Sequence, residues 1–167
     1  MHTPQIKHLS AQPISQDAFC PYGQVIFACE DHKLFDQTDA QLVLDRGTPR
    51  FYIMRLNQRP LRFHRITRHV QCTQCLGSLG GKAWFLGVAA PNHQQSVPDL
   101  DTLQVFHIPG NCFVKLHLGT WHAGPYFEAE WVDFYNLELS DTNVSDHETC
   151  DLMKTWAIEV EIATQYF

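Results

Sequence analysis

The stretch Gly80-Gly81-Lys82-Ala83-Trp84-Phe85-Leu86-Gly87-Val88-Ala89 decides the fold. Its two leading glycines can both adopt a positive φ angle, which a two-residue β-hairpin turn requires. The run from Ala83 to Ala89 is a short segment of β type, bounded by turn residues. The sequence therefore predicts a hairpin turn here, followed by a strand over Ala83 to Ala89.

Similar short runs follow one another through most of the chain. Several alternate polar with apolar residues, and Gly, Pro or Asn separates most of them. They comprise residues 24–27, 51–54, 61–66, 103–108, 112–116, 132–138 and 158–161. Ser15 caps a helix of little more than a turn, and residues 149–156 are ambiguous between a helical turn and a loop. Strands spaced in this way, without long amphipathic helices between them, indicate an all-β sandwich or barrel with short flanking helices.

Composition limits the possible functions. The chain has 167 residues, 44% of them apolar, which predicts a single domain over residues 1–167 with a substantial core. The net charge of −6 and the scattered Lys and Arg residues argue against a nucleic-acid partner. No leader and no run of about 18 apolar residues is present, so we expect a cytoplasmic protein without a membrane span. The six cysteines are expected to be reduced, with Cys72 and Cys75 packed in or near the core.

Two segments resemble the paired signatures of cupin barrels. In the first, His69 is followed by Gln74 and then by Gly81, at the spacing of the first cupin motif. In the second, Gly119-x-x-His122 matches the end of the second motif. The resemblance implies a cupin-like double-stranded β-helix barrel in which His69, Gln74 and His122 hold a divalent metal. Thr67 stands where the motif has its first histidine, and His117 replaces its proline.

Further motifs resemble the ureidoglycolate lyase family, in the family's order and over roughly residues 10 to 150. They are Pro13-Ile14-Ser15-Gln16-Asp17-Ala18-Phe19-x-x-Tyr22-Gly23-x-Val25-Ile26, His64-x-x-x-Arg68-His69-x-x-x-Thr73-Gln74, Pro98-Asp99-Leu100, Lys115-x-His117-x-x-x-Trp121-His122-x-x-Pro125 and Asp133-Phe134. Only the combination is specific. The resemblance implies a homodimeric enzyme that cleaves ureidoglycolate to glyoxylate and urea in allantoin breakdown. It also implies a divalent metal, which could be Ni, Mn or Zn.

The reaction itself requires particular side chains. Ureidoglycolate is a carbinolamine, so loss of urea needs a base for the hydroxyl proton and an acid for the departing nitrogen. Histidine suits both transfers near neutral pH. We assign catalysis to His117 and His122, and substrate binding to Lys115, Arg68, Trp121 and Tyr126. Arg65 is a further cation that could pair with the substrate carboxylate.

Spacing leaves alternatives open. His69 and Gln74 are five positions apart, as are His117 and His122, and an odd separation on a straight strand places side chains on opposite faces. Convergence requires a bend, which Gly119 could supply. Because many family members have Glu where Thr67 stands, a cupin enzyme acting on another small hydroxy or keto acid is the second hypothesis. A non-catalytic module that binds small carboxylates is the third.

Overall fold

The computed structural model describes residues 4–164. Fourteen strands account for most of the regular structure. They are β1 (Gln5–Ser10), β2 (Gln12–Pro13), β3 (Gly23–Phe27), β4 (Pro49–Asn57), β5 (Arg62–Phe63), β6 (Arg65–Arg68), β7 (Gln74–Ser78), β8 (Gly81–Ala89), β9 (Gln104–Gly110), β10 (Cys112–Leu116), β11 (Trp121–Tyr126), β12 (Trp131–Leu139), β13 (Glu148–Asp151) and β14 (Ile158–Ala163). The α-helices are short: α1 (Gln16–Phe19), α2 (Thr142–Ser145) and α3 (Leu152–Trp156). Within residues 4–164, no helix is long and apolar enough to cross a membrane.

Two sheets face each other across the main core. One has five strands in the order β3-β10-β7-β12-β4, and the other has six in the order β13-β6-β11-β8-β9-β2. From β7 to β12 the chain passes from the first sheet to the second and back twice, as in a double-stranded β-helix. The predicted all-β, cupin-like architecture with short flanking helices is therefore confirmed.

The core lies in two layers. Leu76, Val114 and Phe134 of the five-stranded sheet pack against Trp84 and Leu86 of the six-stranded sheet. The opposite face of the six-stranded sheet packs against a small third sheet of order β1-β14-β5, with a cluster that contains Phe85, Val105, Trp121, Phe63 and Val160. The six-stranded sheet is thus buried on both faces.

The hairpin predicted at Gly80 and Gly81 is wrong, because β7 lies in the five-stranded sheet and β8 in the six-stranded sheet, and the two strands do not pair. The two glycines instead form the turn that leads the chain from one sheet to the other, with φ angles of +70° and +68°. Both values lie in the left-handed region that glycine tolerates best. The structure also contains strands that the sequence patterns did not predict, namely β1, β2, β7, β11 and β13. The ambiguous stretch 149–156 contains the end of β13 and the whole of α3.

Candidate active site

A cavity of about 420 Å³ lies between the two facing sheets. Strands β4, β7 and β12 supply one wall, and β6 and β11 supply the other. Its lining combines imidazoles, amides, guanidinium groups and a few apolar side chains: Tyr52, Met54, Leu56, Asn57, Arg59, Arg65, Thr67, His69, Gln74, Leu76, His122, Ala123, Gly124, Pro125, Tyr126, Asn136, Asn143 and His147. The size and mixed lining are those of a small-molecule site.

His69 and His122 form the centre of this cavity, with ring centroids 5.0 Å apart. His69 Nδ1 is hydrogen-bonded to the carbonyl of Asp146, and His122 Nδ1 lies 3.3 Å from the carbonyl of Thr120. A carbonyl oxygen can only accept, so Nδ1 carries the proton in both rings. Each ring therefore keeps its Nε2 lone pair for a ligand.

Burial keeps both imidazoles neutral. Burial lowers the pKa of His69 below its usual value. Burial, followed by the neighbouring His69, lowers the pKa of His122 to about 3. Placing two protonated rings side by side in a poorly solvated site is unfavourable. At pH 7 the pair therefore offers neutral donors, which is the form that binds metal ions.

Asp146 fixes the turn that carries His69. Its carboxylate accepts hydrogen bonds from the backbone N–H groups of Val70 (2.8 Å) and Gln71 (2.9 Å). Its carbonyl holds the His69 ring, as described above. One residue thus sets both the backbone and the ring orientation of His69, which is the usual task of a residue behind a ligand histidine.

A buried carboxylate organises the amide wall of the cavity. Glu138 is only 1% exposed, and it accepts hydrogen bonds from Gln74 Nε2 (3.0 Å), the Tyr52 hydroxyl (3.1 Å) and Asn143 Nδ2 (3.3 Å). Asn136 Nδ2 donates to the same tyrosine oxygen at 3.0 Å. The side-chain carbonyl oxygens of Gln74 and Asn136 are buried and have no hydrogen-bond partner among residues 4–164.

Two arginines border the cavity. The guanidinium of Arg59 lies 4.4 Å from the centroid of the Tyr126 ring, and its Nη2 donates to the carbonyl of Pro125 at 3.2 Å. Arg65 Nε lies 3.7 Å from a carboxylate oxygen of Asp151. Neither arginine has all its N–H groups engaged by these contacts, so both can pair with an anionic ligand.

Five of the residues predicted from the sequence lie in this cavity: His69, Gln74, His122, Tyr126 and Arg65. Thr67 lies there too, directly opposite His122 in the β6–β11 pairing, and its hydroxyl is 2.9 Å from that of Thr149. The structure therefore brings together the three residues that the cupin motifs assigned to metal binding.

Lys115 and His117 lie elsewhere. Lys115 pairs with Cys75 and Leu116 pairs with Gln74 in the β10–β7 ladder, so Lys115 points to the opposite face of the sheet from Gln74. Both Lys115 and His117 line a second cleft of about 460 Å³, covered by residues of the loop between β3 and β4. The structure does not place these two residues in the His69–His122 cavity.

The hydrogen bonds of His117 involve both of its ring nitrogens. Nε2 donates to the carbonyl of Cys20 at 3.1 Å, and Nδ1 accepts from Lys115 Nζ at 3.1 Å. His117 also borders a narrow gap behind His69, Gln74 and His122. Gly119, with a φ of +79°, makes the bend between β10 and β11. That bend separates His117, which follows the end of β10, from His122 in β11 of the other sheet.

Arg68 and Trp121 also lie outside the cavity lining. Arg68 donates to Glu148 at 2.7 Å and to the carbonyls of Asn92 and Gln95 at 2.8 and 3.0 Å. Its guanidinium is 4.7 Å from the centroid of the Trp121 ring. Trp121 is fully buried in the second core layer. Both side chains occupy the outer face of the six-stranded sheet, away from His122.

Several residues of the cavity were missed from the sequence. His147, whose ring centroid is 5.6 Å from that of His69, stands in a polar loop and resembled a solvated histidine. Asn136 and Glu138 did carry a signal, because they occupy the alternate positions of β12 that also hold the buried Val132 and Phe134. Polar residues on the apolar side of an alternating strand indicate a lined cavity.

The donors present fit a divalent cation held by neutral ligands. Among residues 4–164 there is no cluster of three or more His, Cys, Asp or Glu placed to hold a metal. The two Nε2 lone pairs and the unpartnered Gln74 Oε1 are the available donors. Imidazole nitrogen suits Ni, Zn and related ions, and an amide oxygen suits harder ones such as Mn.

Comparisons with known proteins identify relatives over most of the chain. The profile of the family described as ureidoglycolate lyase matches residues 6–159. A ureidoglycolate lyase of Escherichia coli O6:H1 is 28% identical over 152 residues, which cover 84% of this chain and 93% of the relative. A ureidoglycolate lyase of Shigella boydii serotype 18 gives the same identity and coverage.

Among solved structures, a Bacillus subtilis oxalate decarboxylase, studied for its Mn(II) centres, is similar at a TM-score of 0.42 and 14% identity, over 80% of this chain and 29% of that chain. A second oxalate decarboxylase structure, with the same score and identity, is covered to 31%. The chain thus spans about a third of the length of these two structures.

Proposed function

The chain belongs to the ureidoglycolate lyase family, and we propose that it cleaves ureidoglycolate to glyoxylate and urea in the cavity that holds His69 and His122. The observation that carries the proposal, beside the family match, is the combination found there. Neutral imidazoles, an exposed histidine and two arginines border one cavity of about 420 Å³. That combination suits proton transfer on a small carboxylate.

The arginines bind the carboxylate. Arg59 is held against Tyr126 and the carbonyl of Pro125, so its guanidinium is oriented before a ligand arrives. Arg65 lies on the same lining and is weakly paired with Asp151. A planar guanidinium can form two parallel hydrogen bonds to a carboxylate, which fixes the substrate's orientation as well as its charge.

His69, His122 and Gln74 would hold a divalent cation, with Nε2, Nε2 and Oε1 as the donors. When bound, such an ion holds substrate oxygens and lowers the pKa of the hydroxyl that must lose its proton. The pKa of about 3 for His122 makes this ring a poor proton acceptor at neutral pH and suits it to the ligand role. Asp146 keeps the His69 ring in place.

We assign proton transfer to His147. It lines the cavity beside His69 and is exposed to solvent, so it can exchange protons with water. It takes the hydroxyl proton as the carbonyl of glyoxylate forms and returns a proton to the nitrogen of the departing urea. The earlier assignment of this role to His117 stays a prediction, and the test below separates the two histidines.

A second candidate function rests on Thr67. Its hydroxyl bonds to Thr149 opposite His122, at the position where many family members place a glutamate. The donor set is therefore neutral, and this favours the alternative of a cupin enzyme acting on another small hydroxy or keto acid. A thermal-shift screen of small carboxylates distinguishes the two functions, because only the lyase is expected to bind ureidoglycolate more tightly than the other acids.

The deciding experiment measures urea and glyoxylate released from ureidoglycolate, together with elemental analysis of the purified protein. Product formation that rises with added Ni, Mn or Zn is the expected result. Absence of product at high enzyme concentration, with and without these metals, would rule out the lyase. Ligand binding without turnover would instead identify the third hypothesis, a module that binds small carboxylates.

Two further expectations belong to this proposal. We propose a homodimer, and we note that Phe51 and Ile53 on the edge strand β4 are exposed apolar residues that a second subunit could cover. Sedimentation equilibrium tests this assembly. A cytoplasmic location, suited to an enzyme of allantoin breakdown, is tested by cell fractionation.

A further inference from the structure

The amide of Asn136 is an unusual polar group in the cavity wall. Asn136 is 2% exposed and lines the cavity, and its side-chain carbonyl oxygen has no hydrogen-bond partner in the part of the chain that the structure describes. A buried acceptor that receives no hydrogen bond is unfavourable, and native proteins contain few such groups. The position therefore calls for a donor that comes from a bound molecule.

The direction of this amide is set by a chain of hydrogen bonds that ends at Glu138. The Tyr52 hydroxyl has one proton, and it donates that proton to Glu138, because a carboxylate is the stronger acceptor. Its oxygen is then left to accept, and Asn136 Nδ2 donates to it at 3.0 Å. The nitrogen of Asn136 thus faces Tyr52, and Oδ1 points away from it.

The neighbouring groups have the same polarity. Gln74 Nε2 is tied to Glu138, so its carbonyl oxygen also points away from the carboxylate. His69 and His122 each offer an Nε2 lone pair. This part of the wall therefore presents acceptors, whereas Arg59 and Arg65 present donors elsewhere on the lining. Because the proposed cation would occupy the lone pairs of His69, His122 and Gln74, Asn136 Oδ1 is the acceptor left for an N–H donor of an anionic ligand.

We propose that Asn136 Oδ1 accepts a hydrogen bond from the terminal NH₂ of the substrate's carbamoyl group, and so selects carbamoyl ligands over acyl ligands of the same shape. The inference rests on the proposed function, since it assigns one end of that substrate to one residue. Tyr52 and Glu138 are positioning residues, because they orient the amide without touching the ligand in this role.

The test compares two ligands that do not react. N-carbamoylglycine and N-acetylglycine have the same shape and charge, but only the first carries a terminal NH₂. We expect the wild-type protein to bind N-carbamoylglycine about tenfold more tightly by calorimetry, as is typical when one hydrogen bond to a buried acceptor is at stake. Equal dissociation constants in the wild-type protein would overturn the proposal.

Variants identify the residue. In Asn136→Leu the preference should fall to near unity, while Asn57→Leu, the same change at another asparagine of the lining, should preserve it. Tyr52→Phe should weaken the preference for N-carbamoylglycine, because Asn136 Nδ2 loses the hydroxyl that holds it. If Asn136→Leu does not fold, Tyr52→Phe provides the test of the proposal. A preference that persists in Asn136→Leu or Tyr52→Phe would overturn the proposal.

The proposed function is measured separately by turnover. Release of urea and glyoxylate without a carbamoyl preference would leave the lyase standing and refute the role of Asn136. A carbamoyl preference that depends on Asn136, in a protein that releases no product from ureidoglycolate, would support the subsite and refute the lyase.

Discussion

The rings of His69 and His122 lie 5.0 Å apart, although one follows the end of β6 and the other lies within β11. Their Nδ1 atoms are both directed at backbone carbonyls, and their Nε2 atoms are left for a ligand. The proposed chemistry takes place in the cavity that these rings line, so each assignment can be tested by substitution.

Substitution of the histidines should show whether the reaction takes place in the His69–His122 cavity or in the second cleft, which Lys115 and His117 line. We expect His147→Ala to lower kcat/KM for ureidoglycolate by about 10²–10⁴-fold, because the proton-transfer residue is lost. His122→Ala should also lower kcat/KM, because a ligand of the proposed metal is lost. His117→Ala tests the assignment made from the sequence, because its ring faces the Lys115 cleft. A comparable loss in His117→Ala, with unchanged thermal stability, would restore His117 as the proton-transfer residue.

Metal binding should depend on three neutral donors. Titration of chelator-treated protein with Ni, Mn or Zn should raise its melting temperature, with a stabilisation on the order of 2.7 kcal/mol at a hundredfold excess over Kd. His69→Ala and Gln74→Leu should abolish the shift. His64→Ala removes an imidazole that is not part of the cavity lining and serves as the control. A shift that survives in His69→Ala would place the metal elsewhere.

Arg59 and Arg68 form a matched pair for substitution, because Arg59 lines the cavity and Arg68 does not. Arg59→Met should raise KM by roughly 10–100-fold, because a charged hydrogen bond to the substrate carboxylate is lost. Arg68→Met should instead lower the free energy of unfolding by about 1–3 kcal/mol, since Arg68 bridges Glu148 and two backbone carbonyls. Steady-state kinetics and urea denaturation on both variants check this division. A raised KM in Arg68→Met at unchanged stability would contradict it.

Burial of Lys115 should lower the free energy of unfolding of the protein at neutral pH. Lys115 is 3% exposed, its Nζ donates to the imidazole of His117, and burial lowers its pKa below the usual value. Lys115→Met should therefore raise the free energy of unfolding by roughly 1–3 kcal/mol at pH 7.

The pH dependence of this gain has a definite sign. Between the lowered pKa of the folded state and the usual value of 10.5, only the unfolded state binds the proton, so the wild-type protein becomes relatively more stable as pH rises. The advantage of Lys115→Met should shrink from pH 7 to pH 10 in urea denaturation. An advantage that grows over this range would show that Lys115 is stabilised as a cation.

Thiol reactivity should report the packing of the cysteines. Cys20 and Cys29 are exposed, and the other four are buried. Burial also raises the pKa of Cys75 to about 12, which leaves almost no thiolate at neutral pH. We expect two of the six thiols to react rapidly with Ellman's reagent in the native protein and all six in denaturant. Rapid reaction of more than two would mean that a buried cysteine is accessible.

The sequence predicted the strands whose residues alternate clearly, such as β9, β10 and β12. It did not predict β11, because Gly124 and Pro125 interrupt the pattern within Trp121–Tyr126. The strand β7 was also missed, since Gln74, Gly77 and Ser78 are poor strand formers whose burial comes from the sheets around them.

The same reasoning explains which site residues were found. His69, Gln74 and His122 could be predicted because cupin motifs carry them at fixed spacing, and the structure places them on one cavity. His117 and Lys115 shared their motif with His122, but the bend at Gly119 and the alternation of β10 direct them to another face. His147 depends on contacts between distant segments, which no local pattern reveals, whereas Glu138 could have been found from the alternation of β12.

Glu138 is absent from the cavity lining, yet it determines what the lining offers. A lysine in its place would donate where the carboxylate accepts, so the Tyr52 proton and both amides would reverse their direction. The inner wall would then present N–H groups, and its ligand preference would change from amines and ureas to oxyanions. One substitution behind the wall could thus redirect the specificity of the cavity without altering a residue that the ligand touches.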